Sequence, residues 1–274
     1  MIKCKELNTE FKTKGELFKA LRDNKDDIIA MKRAQILKSH EKNQGLKVNF
    51  LDTNKLNTAV KGIDFDDNYY YLAVNSTRVL DSHKDVHLDG IWNKSVKEQQ
   101  GRNYLVLDHE LKVSQTVVKK EHIEMIIADI PFAMIGKSYD GNTQALIYKF
   151  PKDKIINKDA KAWLESGDDI EASVRMQYVK ISLAMDSTLK EDVDEKKEYD
   201  SQLEKIANRD EFDEIDYFFT VYEAKNVSES SLVPFGSNGA TGIINDVKDI
   251  QADKSLENKE VEPTKDTQSF ANII

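Results

Sequence analysis

Cysteine is almost absent. Cys4 is the single cysteine in 274 residues, so no internal disulfide and no cysteine-rich zinc site can form, and a cytosolic compartment fits. Long apolar runs are missing too. No stretch of about 18 apolar residues occurs, and the opening MIKCKELNTEF lacks the apolar segment of a secretory signal. The expectation is a soluble protein that is neither membrane-bound nor exported. Positive charge is in deficit. Forty Lys and Arg stand against 49 Asp and Glu, giving a net charge of -9, and the sequence pI is about 5.2. A nucleic-acid binder relying on a general basic surface is thereby disfavoured, because phosphate contacts dominate such affinity. A Walker loop, GxGxxG, HExxH and GxSxG are all missing, as is any tandem repeat.

What is present is a chain with 39% hydrophobic and 32% charged residues, enough for one large domain with solvated appendages. Residues 9–40 predict one helix, opened by the capping-box spacing of Thr13 and Glu16, with Leu17, Leu21, Ile28 and Met31 on one face. Such a helix either covers its own domain or docks a partner. Residues 41–62 form a polar linker with a short strand at 46–51. Strand composition follows at 68–74, 104–111, 114–118, 123–130, 145–150, 170–184, 217–224 and 230–235. Trp92 is an anchor within the helical or irregular stretch 91–102. A helix over 153–165 would bury Ile155, Ile156, Ala160 and Trp163. The charge-rich residues 186–213 predict an exposed helix between two strands, with Leu189, Val193, Tyr199, Leu203 and Ile206 at helical spacing. Residues 243–274 have the acidic, polar composition of a disordered tail.

Two constellations could carry chemistry. Asp81, His83, Asp85 and His87 alternate, and on a strand they would share one face, the pattern of a metal site. A polar, solvent-facing edge or loop before Gly90 is the simpler reading. Nothing else completes a ligand set, so no metal and no cofactor is assigned. The second constellation is a serine, a histidine and a carboxylate on three extended segments. Ser173 lies early in the long apolar stretch 170–184. Among the five histidines, His109 alone ends an apolar run, YLVLDHEL, where a rigid strand could hold it, and by their residue types alone His109 and Ser173 are as well read as ordinary strand residues. The carboxylate lies downstream in ESSLVPFGSNGAT, which opens on Glu229. Arg175 alternates onto the strand face of Ser173, where it could support an oxyanion or be an ordinary surface arginine.

These segments resemble the tailed-phage prohead maturation proteases, a family related in fold to the herpesvirus assemblins. The stretch EFKTKGELFKALRDNKDDIIAMKRAQILKS is similar to the family's leader helix, and NSTRVLDSHKDVHLDGIW to its early block. VLDHEL resembles the histidine strand, IEASVRMQYVKI the serine strand and ESSLVPFGSN the closing segment. The resemblance runs from about residue 9 to 242. The chain departs from the family where Ser-Ile-Gly-Phe is often found, having Ser173-Val174-Arg175-Met176 instead. Without the glycine, the backbone beside the nucleophile is less permissive.

The resemblance implies an α+β, β-rich fold: a closed or semi-closed β-barrel core of about seven strands with flanking helices, assemblin-like. Its parts would be a helical leader (1–45), a protease domain (46–242) with the charged insert, and the tail. It implies a serine endopeptidase without cofactor, with Ser173 as nucleophile, His109 as general base and Glu229 or Glu223 orienting the imidazole. The implied partners are the major capsid protein, the scaffold protein and the chain itself, with no nucleic acid and no membrane. A homo-oligomer stays open. The implied place is the host cell cytoplasm, inside the assembling prohead. The contrasting expectation is a non-catalytic capsid-assembly scaffold protein that keeps a protease-like fold.

Overall fold

The structure is a computed structural model that describes residues 1–36, 60, 62–168 and 170–244. The expected strand at 46–51 and residues 245–274 of the expected tail lie outside the described residues, whereas its first two residues, Ile243 and Ile244, are buried and Ile243 ends a strand. The fold is mixed α+β, with eleven strands and five α-helices among the described residues. None of these helices is long and apolar enough to cross a membrane.

A small hairpin, β1 (Ile2–Cys4) with β2 (Thr9–Phe11), precedes two helices, α1 (Lys14–Asp23) and α2 (Lys25–Ala34). The capping box read from Thr13 and Glu16 is present. The single helix expected over 9–40 is not. Asn24 leaves helical geometry (φ -112°, ψ 12°), and its side-chain amide donates to the Ala20 carbonyl, closing α1 before α2 begins. Both helices settle on the domain. Leu17, Phe18, Leu21 and Ile28 join the main core, each buried side chain contributing roughly 1.5–3 kcal/mol.

The remaining strands form two larger sheets. In one, β11 (Gly242–Ile243), β3 (Tyr69–Ser76), β8 (Asn142–Pro151) and β7 (Glu124–Pro131) lie in that order, all antiparallel. The other is built on β10 (Tyr217–Val233). The long β9 (Glu171–Met185) runs antiparallel along β10, which pairs in parallel with β4 (Asp85–His87) and β5 (Tyr104–Leu107). β6 (Thr116–Val118) pairs with β5. Among the described residues these ladders form separate sheets. Residues 217–224 and 230–235 predict two strands, but 217–233 form one, which bulges between Asn226 and Ser230, with Ser228 at φ 72°. Leu72, Leu146 and Tyr148 from the first sheet share one core cluster with Leu105, Val174 and Leu232 from the second.

The helix α3 (Asn93–Gln99) follows Trp92, which is buried as expected. The helix α4 (Lys158–Ser166) starts later than the periodicity predicts, because Asn157 caps it by accepting from the Asp159 and Ala160 amides. Ile156 thereby falls outside the helix and is exposed. In the charged insert, α5 (Val193–Gln202) is anchored rather than free. Tyr199 and Ile206 are buried, and Arg22 and Lys25 form ion pairs with Asp192 and Glu195. Leu189 and Val193, read as part of its apolar stripe, face solvent.

The segment with Asp81, His83, Asp85 and His87 is not a solvent-facing edge. Asp81, Asp85 and His87 are buried, and they belong to a hydrogen-bond chain instead of a metal site. Among the described residues no cluster of three or more His, Cys, Asp or Glu could hold a metal. Trp92 Nε1 can only donate, and it donates to Asn75 Oδ1 (2.8 Å). Asn75 Nδ2 must then donate to His87 Nδ1 (2.9 Å), which leaves the His87 proton on Nε2, facing Tyr178 Oη (3.1 Å). Tyr178 donates to Asp85 Oδ2 (2.8 Å), and Lys32 of α2 donates to Asp85 Oδ1 (2.6 Å). Burial disfavours the Lys32 ammonium, but the carboxylates of Asp85 and Glu6 outweigh it and raise its pKa. Burial and the neighbouring Asp85 charge push Asp81 well above the usual carboxylate range.

Burial, helped by the nearby His83 and Lys32 charges, lowers the His87 pKa to about 3. The unfolded chain takes up that proton below about pH 6.5 and the folded chain does not, so acid favours unfolding across this window. Asp81, with its raised pKa, acts in the opposite sense, so the His87 contribution is read as a difference. Between pH 6.5 and 4 the wild type should lose stability more steeply than His87→Gln, by up to about 1.4 kcal/mol per pH unit. Urea titrations of both proteins at several pH values measure this, and parallel slopes would refute it.

Candidate active site

Three strands bring the candidate residues to one end of the β10 sheet. In the antiparallel ladder Ser173 of β9 stands opposite Ser231 of β10, and Ala172 opposite Leu232. In the parallel ladder Ser231 stands opposite Val106 of β5. Strand alternation then sorts the side chains. Ala172, Val174, Met176 and Leu232 belong to the main core. Ser173 and Arg175 take the other face, with Glu229 and Ser231 beside them.

His109 arrives differently from the sequence expectation. β5 ends at Leu107, and His109 sits in the turn that follows, not on the strand. Asp108 and His109 both have positive φ (49° and 57°), and the Glu110 amide donates to the Leu107 carbonyl (2.9 Å), the signature of a type I′ turn. The turn folds the imidazole back toward β10. His109 Nδ1 lies 2.9 Å from Glu229 Oε1, with both side chains essentially buried. A carboxylate only accepts, so Nδ1 carries the proton and Nε2 is the basic nitrogen.

Of the two candidate acids, only Glu229 meets the histidine. Glu223 lies on the far side of the bulge, paired with Lys94 (3.3 Å) and partly exposed. Arg175 Nε is buried and has no hydrogen-bond partner among the described residues. Ser231 escaped sequence reasoning altogether. Its hydroxyl donates to Glu229 Oε2 (2.9 Å) and accepts from the His109 amide (2.8 Å). The available signal was its place two residues beyond Glu229, hence on the same strand face.

The closing segment seals the start of β9. Thr241 Oγ1 donates to the Ala172 carbonyl (2.8 Å), and the Ala172 amide donates back to it (3.2 Å). The Gly236 amide donates to Glu171 Oε2 (2.6 Å). A Cβ on Gly236 would sit 2.8 Å from the Ala172 carbonyl oxygen, a backbone atom that cannot step aside. Gly236→Ala should therefore cost about 1–3 kcal/mol. In thermal unfolding this is a fall of roughly 2–4 °C per kcal/mol, and an unchanged Tm would show that the segment is free to shift.

Ser173 is 7% exposed, His109 3% and Glu229 not at all, so the cluster is nearly closed to solvent. A cavity of about 760 Å³ lies elsewhere, lined by Arg78, Asp89, Tyr139, Lys205 and Glu211 among others and by none of the three. Compared with known proteins, the chain matches no protein-family model, no curated protein and no solved structure.

Proposed function

We propose that the chain is a serine endopeptidase in which Ser173 is the nucleophile, His109 the general base and Glu229 the residue that orients the imidazole. One observation carries this reading: a buried His109–Glu229 contact of 2.9 Å, directly beside a ladder position where Ser173 faces Ser231. A serine hydroxyl needs an adjacent base to become nucleophilic. Glu229 selects the tautomer whose Nε2 can take the Ser173 proton and stabilises the imidazolium that results. Ser173 Oγ then bonds to the scissile carbonyl carbon. His109 returns the proton to the leaving amine, and water hydrolyses the acyl-enzyme by the reverse proton path.

The class follows from the resemblance of the five segments to prohead maturation proteases. On that reading the substrates are the major capsid protein, the scaffold protein and the chain itself, inside an assembling prohead. Confinement there makes high intrinsic affinity unnecessary, since effective concentration is high. The assemblin-like semi-closed barrel belongs to the same proposal, supported by the core that the two larger sheets share.

The second reading is a non-catalytic capsid-assembly scaffold protein. The closure of the serine and histidine to solvent favours it. The deciding experiment compares intact masses of wild type and Ser173→Ala after long incubation at high concentration, alone and with capsid protein. Trimming in wild type only supports the protease. Trimming in both sinks the Ser173 assignment, and no cleavage in either, even with capsid protein, favours the scaffold.

A further inference from the structure

The turn that carries His109 is strained, and one hydroxyl takes part in two of the contacts that hold it. Type I′ turns favour Asn-Gly or Asp-Gly, because both central residues need positive φ. Here the pair is Asp108-His109, two residues with a Cβ in the left-handed region. Such a conformation persists only where surrounding contacts over-determine it. Four contacts do so: the Asp108 amide to the Leu232 carbonyl (3.2 Å), the His109 amide to Ser231 Oγ (2.8 Å), His109 Nδ1 to Glu229 Oε1 and Ser231 Oγ to Glu229 Oε2.

Ser231 takes part in two of the four and ties the others together. Its lone pair holds the histidine backbone. Its proton holds the second oxygen of the carboxylate that grips the imidazole. It stands directly across the ladder from Ser173. Ser231 and Glu229 are fully buried, so no solvent water stands ready to replace either bond. With its proton and a lone pair committed, Ser231 is poorly placed to be a nucleophile itself.

We propose that Ser231 is a positioning residue: its hydroxyl clamps Glu229 and the strained His109 turn together and so sets the imidazole against Ser173. This rests on the protease reading above, and the test separates the two. The first readout needs no activity. In the full-length chain the His109 Nδ1–H proton, held by Glu229, should give a downfield, slowly exchanging NMR resonance. Ser231→Ala should broaden or abolish it, and Ser231→Thr, which keeps a hydroxyl, should restore it. Should Ser231→Ala fail to fold, Ser231→Cys takes its place, with similar volume and a weak donor.

The second readout is kinetic. Ser231→Ala should lower kcat about 10- to 100-fold, the size expected for one hydrogen bond to a charged group, while KM stays within about twofold. Ser231→Thr should recover most of the loss. An unchanged Nδ1–H resonance in the alanine variant overturns the clamp, whatever the activity. A serine-directed fluorophosphonate that labels Ser231 in place of Ser173 overturns it as well. If wild type proves inactive, the protease reading fails alone, and the resonance still decides whether Ser231 holds the imidazole.

Discussion

Ser173→Ala is expected to lower the proteolytic kcat by about 10⁶-fold, and His109→Ala by a similar factor, because a serine–histidine pair acts as a unit and losing either removes nearly the whole advantage. The double variant should therefore be hardly worse than either single one. Glu229→Gln should cost about 10⁴-fold. The amide keeps the shape, but its nitrogen can turn toward Nδ1 and donate, which selects the opposite tautomer and takes the lone pair off Nε2. Glu223→Gln should change little, since Glu223 pairs with Lys94 at the surface. Progress curves on a capsid-derived substrate measure all five variants. Equal losses for Glu223→Gln and Glu229→Gln would dismiss the dyad.

Lys32→Met should cost about 3–5 kcal/mol, more than the loss of any other ion pair made by the N-terminal helices, because both partners are buried. Lys32 is 5% exposed and stands over the Phe219 ring as well as against Asp85. Removing it strands a buried carboxylate among Tyr178, His87 and Asp81. The penalty is then mostly the cost of the orphaned charge, not the strength of the pair. Lys32→Met combined with Asp85→Asn should recover much of it, because Asn can still accept from Tyr178 and carries no charge. Urea unfolding of the two single variants and the double variant gives the coupling directly. Additive losses would mean that the pair does not interact energetically. The expected fall in Tm for Lys32→Met is on the order of 10 °C.

This lysine also shows why α2 is more than a cover. Tyr178 lies on β9, five residues beyond Ser173, so the chain from Lys32 through Asp85 to Tyr178 fastens the N-terminal helices to the strand that bears the serine. Activity and stability should thus decline together in Lys32 variants, whereas Ser173→Ala should leave the Tm nearly untouched. That contrast separates chemistry from folding.

Local patterns in the sequence determined much of the framework. The Thr13–Glu16 capping box, the apolar face of α1, the long strand around Ser173 and the buried Trp92 all follow from propensity and periodicity, which act over a few residues. Tertiary structure decided the rest. Asp81, Asp85 and His87 look like a polar edge because alternation carries no information about burial, and partners distant in sequence make that burial tolerable, Lys32 and Tyr178 lying 53 and 93 positions from Asp85. Residues 217–224 and 230–235 separate in sequence because Asn226 and Ser228 interrupt the strand pattern, yet pairing with β9 carries the strand through the bulge. His109 reads as a strand residue because VLDHEL is apolar up to Asp108. Its left-handed turn is paid for by Ser231 and Glu229, 122 and 120 positions away. The choice of Glu229 over Glu223 is of the same kind. Two carboxylates six residues apart on one strand look alike in sequence, and only the register of β10 against β5 and β9 shows which one meets the histidine.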